Sequence, residues 1–244
     1  MKKLKVILLI LFIVSFAISI YNILQIKKEL SESDQMKEEL IKLVEIPEEP
    51  EVEETFSVDF SELEKINSDV VGWIVIEGTQ VNYPIVQGKD NSYYLNHSFD
   101  KSWSSLGSIF MDYRSTNDFS DYNTFIYGHH TKNGSMFGEL YKYMDATFYK
   151  EHPFFYLYSP EGIYKVEIIS AYLDSAESDS YVQKFGSIED YKRYINLIVK
   201  KSNYITDTIF DSSTDKIITL YSCSHESNRR KEDRYFIHGK IIKI

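Results

Sequence analysis

The chain contains a single cysteine, Cys223, at the end of an apolar, β-branched run, Ile217-Ile218-Thr219-Leu220-Tyr221-Ser222. A second apolar run, Asn123-Thr124-Phe125-Ile126-Tyr127, passes through Gly128 to His129 and His130. A third, Tyr235-Phe236-Ile237, is opened by Arg234. A thiol beside an imidazole supplies a thiolate nucleophile and a proton for a departing amine. A guanidinium stays charged and offers several donors to a developing oxyanion. Together these are the groups that acyl transfer requires. Spacing alone leaves rivals: His130, His225 and His238 for the histidine, Arg229 and Arg230 for the arginine. A lone cysteine is also at home as a buried core filler.

Other chemistries find little footing. One cysteine makes neither an intrachain disulfide nor a thiolate zinc cage. His129 and His130 are adjacent, so on a strand they face different ways and do not form one zinc site. No Gly-rich phosphate loop is present. Neither a metal nor another cofactor is expected. A net charge of −10 argues against nucleic acid as a partner.

The elements that must position these residues can be read along the chain. Residues 6–24 are free of charge and long enough to cross a bilayer as a helix. Lys2, Lys3 and Lys5 precede this run, which favours a cytoplasmic N-terminus and an external bulk; Lys27 and Lys28 behind it reduce the asymmetry. A cleaved signal peptide is the rival reading. From Glu29 to Val44 the apolar residues Leu30, Met36, Leu40, Leu43 and Val44 recur at helical spacing. Pro47, Pro50 and the acids through Glu54 then read as an extended linker. The expected division is a cytoplasmic tip and transmembrane segment over 1–28, an acidic helical and extended linker over 29–55 and a folded domain over 56–244.

In that domain Asp59 is placed to cap a short helix, Phe60 to Ile66. Strands are predicted over 70–76, 81–86 (with Pro84 at an edge or bulge), 107–112 and 123–128. Asp90 to His97 reads as a short helical turn. Ser135 is expected to cap a helix through about His152, with Met136, Phe137, Leu140, Tyr141 and Met144 on its core face. A hairpin turns at Ser159-Pro160-Glu161-Gly162, a polar loop covers 174–180, and Ser187 opens a helix carrying Ile188, Tyr191, Ile195 and Ile198. Strands over 216–223 and 234–244 complete the chain. Many short strands, few helices, and 20 Tyr and 15 Phe argue for a mostly β fold, a closed barrel or a sandwich.

Several of these stretches resemble the sortase family. Thr219-Leu220-Tyr221-Ser222-Cys223 is similar to its T-L-x-T-C signature, with Ser222 for the second threonine. Tyr127-Gly128-His129-His130 is similar to the Y-G-H-H segment of class B sortases. Residues 67–74, 81–85, 90–95 and 107–112 match in order and spacing. The resemblance implies an eight-stranded sortase β barrel with N-terminal helices, a helix in the connection before the cysteine strand, and a membrane helix ahead of it. It implies Cys223 as nucleophile, His129 rather than His130 as the catalytic histidine, and Arg234 as the arginine. The loop before Arg234 is one residue longer than in a relative, which keeps Arg230 as the alternative. Asn91, Leu95, Tyr181, Val182 and Ser222 fall at substrate-groove positions. The implied reaction is transpeptidation: cleavage of an NPxT[GN]-like sorting signal after Thr, and transfer of the Thr carboxyl to an amine of the cell-wall precursor. The implied setting is a single-pass membrane protein with its catalytic domain outside the cell. A thiol hydrolase without transfer and a non-catalytic surface interaction domain are the competing readings.

Overall fold

The computed structural model describes residues 2–45, 57–223 and 233–244. The Pro47–Glu54 linker, His225, Arg229 and Arg230 lie outside the described residues. Two compact units divide the chain, residues 1–40 and 41–244. The first is the greater part of one helix, α1 (Lys2–Ile41). It joins the charge-free run and the amphipathic stretch from Glu29, which the sequence reading separates, because no Gly or Pro falls between them to break the helix. The helix is long and apolar enough to cross a membrane.

The second unit opens with β1 (Val44–Glu45) and β2 (Ser57–Val58), paired antiparallel. Helix α2 (Phe60–Ile66) starts where the Asp59 carboxylate accepts the Glu62 N–H at 3.1 Å and ends at Asn67, as its sequence predicts. Then follow β3 (Val70–Val75), β4 (Asn82–Val86), a 3-10 turn (Tyr93–Leu95), β5 (Ile109–Met111) and β6 (Asn123–Gly128). A second 3-10 turn (Leu140–Met144) and α3 (Ala146–Glu151) precede the hairpin of β7 (Phe154–Ser159) and β8 (Gly162–Ser175). Helix α4 (Ile188–Lys201), β9 (Ile217–Cys223) and β10 (Asp233–Lys243) complete the unit. Eight strands close into a barrel in the order β10-β8-β7-β3-β4-β5-β6-β9, with β4–β5 and β6–β9 parallel. Closure removes the sheet edges. Ile74, Ile85, Ile126, Leu157, Val166, Ile218, Leu220 and Ile237 fill the core.

Helix α4 sits in the β8–β9 connection, as expected. Ser187 accepts the Asp190 N–H, acids open the first turn, and Lys200 and Lys201 occupy the last. Tyr191, Tyr194, Ile195 and Ile198 form its buried face.

The stretch after Ser135 departs from the reading. Met136 has φ +51°, outside the helical region, and the chain becomes helical only over the 3-10 turn and α3. Asp145 is the cap, accepting the Thr147 N–H at 2.8 Å. The apolar spacing that suggested one helix is real core: Met136, Phe137 and Leu140 are buried, but Tyr143 replaces Tyr141 inside. Pro84 marks neither edge nor bulge. It lies opposite Trp73 and is tolerated because β5 joins β4 only at Ile85 and Val86; the register shift falls in β3, between Val70 and Gly72. The loop predicted from Asp174 begins later, because β8 continues to Ser175 against β10.

A buried polar chain crosses four of the barrel strands. His238 of β10 is fully buried between Tyr172 Oη of β8 (3.0 Å) and Thr219 Oγ1 of β9 (2.9 Å). Thr219 donates to Asn123 Oδ1 of β6 at 2.7 Å, so the His238 Nδ1–H donates to Thr219 and Nε2 accepts from Tyr172. Asn123 Nδ2 then donates to the Val182 carbonyl at 2.7 Å, and Tyr194 Oη to the Ser180 carbonyl at 2.8 Å. The residue 176–187 loop is thereby fixed to the barrel.

Burial pushes His238 down to about 3, with the Lys201 charge acting in the same direction. An unfolded histidine titrates near ~6.5. Between those values the unfolded chain binds a proton that the folded chain refuses, so stability is present above about pH 6.5 and is lost as pH falls toward 3. The expected loss is on the order of 1 kcal/mol per pH unit from this group. Denaturant unfolding from pH 7 to 4.5 should show a shallower dependence for His238→Gln than for the wild type. Equal slopes would mean that the buried neutral imidazole is not the cause.

Candidate active site

Two pairings bring the chemistry-bearing residues to one end of β9. β6 runs parallel to it, with Tyr127 opposite Tyr221 and Gly128 opposite Ser222. One step further along these strands come His129 and Cys223. β10 runs antiparallel on the other side and sets Arg234 opposite Cys223. Parallel strands finish at the same end, and an antiparallel neighbour begins there. The topology therefore gathers a histidine, the cysteine and an arginine from segments far apart in sequence.

Side chains alternate across strands. Ile218, Leu220, Ile126, Tyr235 and Ile237 point to the core, so positions 219 and 221, 125 and 127, and 234 and 236 share the other face. Its rings meet edge-on: Tyr127 and Tyr221 at 5.5 Å, Tyr221 and Phe236 at 5.0 Å. The Arg234 guanidinium lies 6.0 Å from the Tyr221 ring centre, a cation–π distance. His130 turns away from this face, stacking on Tyr235 at 5.6 Å and bridging to Met136. His238 is committed to its buried chain.

His129 is held at ring and backbone. Its carbonyl accepts the Phe137 N–H at 3.0 Å, and its Nε2 lies 2.8 Å from the Leu95 carbonyl oxygen. A carbonyl only accepts, so Nε2 carries a proton and donates. Gly128 permits the close approach of this segment, since a Cβ there would lie 2.7 Å from the Phe137 ring. The turn that offers Leu95 is built from its first residue. Asp90 Oδ1 accepts the N–H groups of Ser92 and Tyr93 at 2.7 and 2.9 Å. Tyr94 is buried, and its hydroxyl bonds to Asp69 and Asn67. Gly107, at φ +59°, lies directly beneath, where a Cβ would stand 2.5 Å from the Tyr94 oxygen and 2.7 Å from that of Leu95.

A groove runs beside His129, lined by Asn91, Leu95, Phe110, Tyr127, Tyr181, Tyr221 and Ser222. The Asp112 carboxylate stands behind it, bonded to the groove residues Asn91 and Tyr127. Asp112 is wholly buried and accepts from Arg114 Nε and Nη2 at 2.9 and 2.8 Å, from Asn91 Nδ2 at 2.7 Å and from Tyr127 Oη at 2.6 Å. Burial alone would raise the Asp112 carboxyl, but the bonds from Arg114 and Tyr127 overcome that and hold it well below the usual carboxylate range. Burial, with the bond to Asp112 adding to it, raises the Tyr127 phenol far above its ordinary value, so Tyr127 remains a donor.

Residues 74–242 match the sortase domain. Sortase B of Listeria monocytogenes serovar 1/2a is 41% identical over 184 residues, spanning 75% of this chain and 74% of that protein. Sortase B of Staphylococcus aureus is 32% identical over the whole chain and 99% of its own length. The structure of a Staphylococcus aureus sortase B–substrate complex superposes with a TM-score of 0.76 at 31% identity, covering 91% of this chain and 99% of that one. The chain belongs to the sortase family. It is a class B sortase, a cysteine transpeptidase, and its closed barrel is the sortase barrel.

In this sortase the expected groove residues Asn91, Leu95, Tyr181 and Ser222 come together with His129. Val182 does not join them: it lines a separate hollow with Lys184, Phe185 and Arg193. Its backbone bond to Asn123 supports the loop that carries Tyr181. Sequence reasoning singled out neither Asp112 nor Arg114. A usable signal was present, because Asp112 ends the apolar strand Ile109-Phe110-Met111 much as Cys223 ends its own.

The turn under Leu95 gives a test of how His129 is held. Gly107→Ala places a Cβ at a positive φ and against two carbonyls, a strain of about 1–3 kcal/mol. It should lower the unfolding midpoint and, through Leu95, reduce turnover by more than the lost folded fraction accounts for. Unchanged turnover in the folded variant would show that the Leu95–His129 contact is not needed.

Proposed function

We propose that Cys223, His129 and Arg234 carry the transpeptidation, and that this sortase processes an NPxT[GN]-like sorting signal. The observation that carries the assignment is the register of β9: Cys223 is flanked by Arg234 on β10 and, one step beyond Gly128, by His129 on β6. The Cys223 thiolate attacks the Thr carbonyl carbon, forming a C–S bond while the carbonyl π electrons move to oxygen. Arg234 donates to that oxyanion. On collapse the C–N bond breaks, and imidazolium His129 gives its proton to the departing amine. Because Nε2 is engaged by Leu95, we assign this transfer to Nδ1. An acceptor amine, of the cell-wall precursor, then attacks the thioester. Its proton passes to His129, and Cys223 leaves as thiolate.

The groove beside His129 supplies an apolar, aromatic wall for an extended peptide. A Staphylococcus aureus sortase B has been captured as a substrate complex, which supports the same use here. We assign the charge-free run over 6–24 to a single-pass membrane anchor with a cytoplasmic N-terminus. We assign residues 29–55 to an acidic helical and extended linker and 56–244 to an external catalytic domain.

A panel of NPxTG and NPxTN peptides, offered to wild type and Cys223→Ala with and without an added amine, tests the assignment. Wild type should cleave after Thr and ligate the amine, and Cys223→Ala should lose activity by several orders of magnitude. Equal cleavage by both overturns the role of Cys223, and hydrolysis without ligation favours a plain thiol hydrolase. Since the competent enzyme holds thiolate and imidazolium together, the pH–rate profile should be bell-shaped. A flat profile from pH 6 to 9, with chemistry rate-limiting, would contradict the pair.

A further inference from the structure

Asp112 is buried more completely and bonded more densely than a turn-forming aspartate needs. Arg114 alone would neutralise it, giving Nε, Nη2 and its backbone N–H at 2.8–2.9 Å. Two further donors arrive from the groove wall: Asn91 Nδ2 at 2.7 Å and Tyr127 Oη at 2.6 Å. These five donors exhaust a carboxylate, which presents about four lone-pair sites. The network continues to the third wall. The Tyr127 O–H is already donated to Asp112, so Tyr181 Oη donates to Tyr127 Oη at 2.6 Å, and Arg114 Nη2 donates to Tyr181 Oη at 3.3 Å. The turn after Asp90, strand β6 and the residue 176–187 loop thus converge on one charge.

The network also sets direction. Asn91 donates to Asp112 while its Oδ1 accepts the Tyr113 N–H at 3.1 Å, so its amide has one permitted orientation. Neither contact that holds His129, from Leu95 and from Phe137, belongs to the network. The Leu95 turn has its own supports in Asp90 and Asp69.

We propose that Asp112, paired with Arg114, is a positioning residue that fixes Asn91, Tyr127 and Tyr181 in the shape that receives the peptide, and so governs peptide capture rather than the acyl-transfer step. The inference rests on the transpeptidase reading above. A neutral residue cannot take its place, because five donors would face a group with fewer acceptors, and a carboxamide would set an N–H against another donor.

The test is steady-state cleavage of an NPxTN peptide by Asp112→Asn, Tyr127→Phe and their combination, with thermal unfolding measured for each. Asp112→Asn should raise KM at least tenfold with kcat within about threefold, the pattern of lost uniform binding. Tyr127→Phe, which removes one of the five donors to Asp112 and the acceptor for Tyr181 and Gln183 but leaves the carboxylate and its pairing with Arg114, should raise KM by less. The double variant should be no worse than Asp112→Asn alone, since both act through one network. Should Asp112→Asn not fold, Arg114→Gln carries the same expectation from a part-exposed side chain. An unchanged KM in a folded variant, a loss confined to kcat, or additive effects would overturn the proposal. Failure of the wild type to cleave would instead overturn the transpeptidase reading, and this inference with it.

Discussion

The parallel pairing of β6 with β9 is the constraint on which the rest of the site depends. Most barrel neighbours here are antiparallel and would deliver their terminal residues to opposite ends. This pair delivers them together, with Gly128 opposite Ser222. Antiparallel β10 then starts where β9 stops and contributes Arg234. Strand alternation does the remainder, sending Leu220 and Ile126 inward while Tyr221 and Tyr127 face the groove. A shift of one residue in either register would place the chemistry on the wrong face.

Around that end, two polar networks meet the cost of burial in different ways. The His238 chain is neutral throughout: each hydroxyl, amide or imidazole nitrogen passes one hydrogen bond to the next, from Tyr172 to Val182. The Asp112 cluster is ionic, and a buried charge is tolerable only when paired and fully bonded. The first fixes the loop that carries Tyr181 to the barrel, and the second fixes the side chains that the loop and its neighbours present. Both are assembled from residues whose partners lie many positions away, so neither could be inferred from local spacing.

That distinction marks how much was legible in the sequence. β-Branched runs and their terminal residues gave the barrel strands, and the Ser187 cap with its amphipathic face gave α4. The signature around Cys223 and the segment around His129 were specific enough to give the sortase family. The stretch after Ser135 misled because its apolar residues do reach the core, only along an irregular path that Asp145 divides by capping a later helix. Asp112 went unnoticed because a single aspartate after a strand usually means a turn. Its importance lies in Asn91, Tyr127 and Arg114, which converge on it only in three dimensions.

The order of the strands also bears on when Cys223 and Arg234 become neighbours. Cys223 acquires its arginine neighbour only when β10 docks, and β10 is the last barrel strand and pairs along nearly its whole length with β8. Without β10, β9 lacks one of its two partner strands and position 223 lacks its neighbour on that side. The juxtaposition of positions 223 and 234 is therefore a product of barrel closure and not of either strand alone.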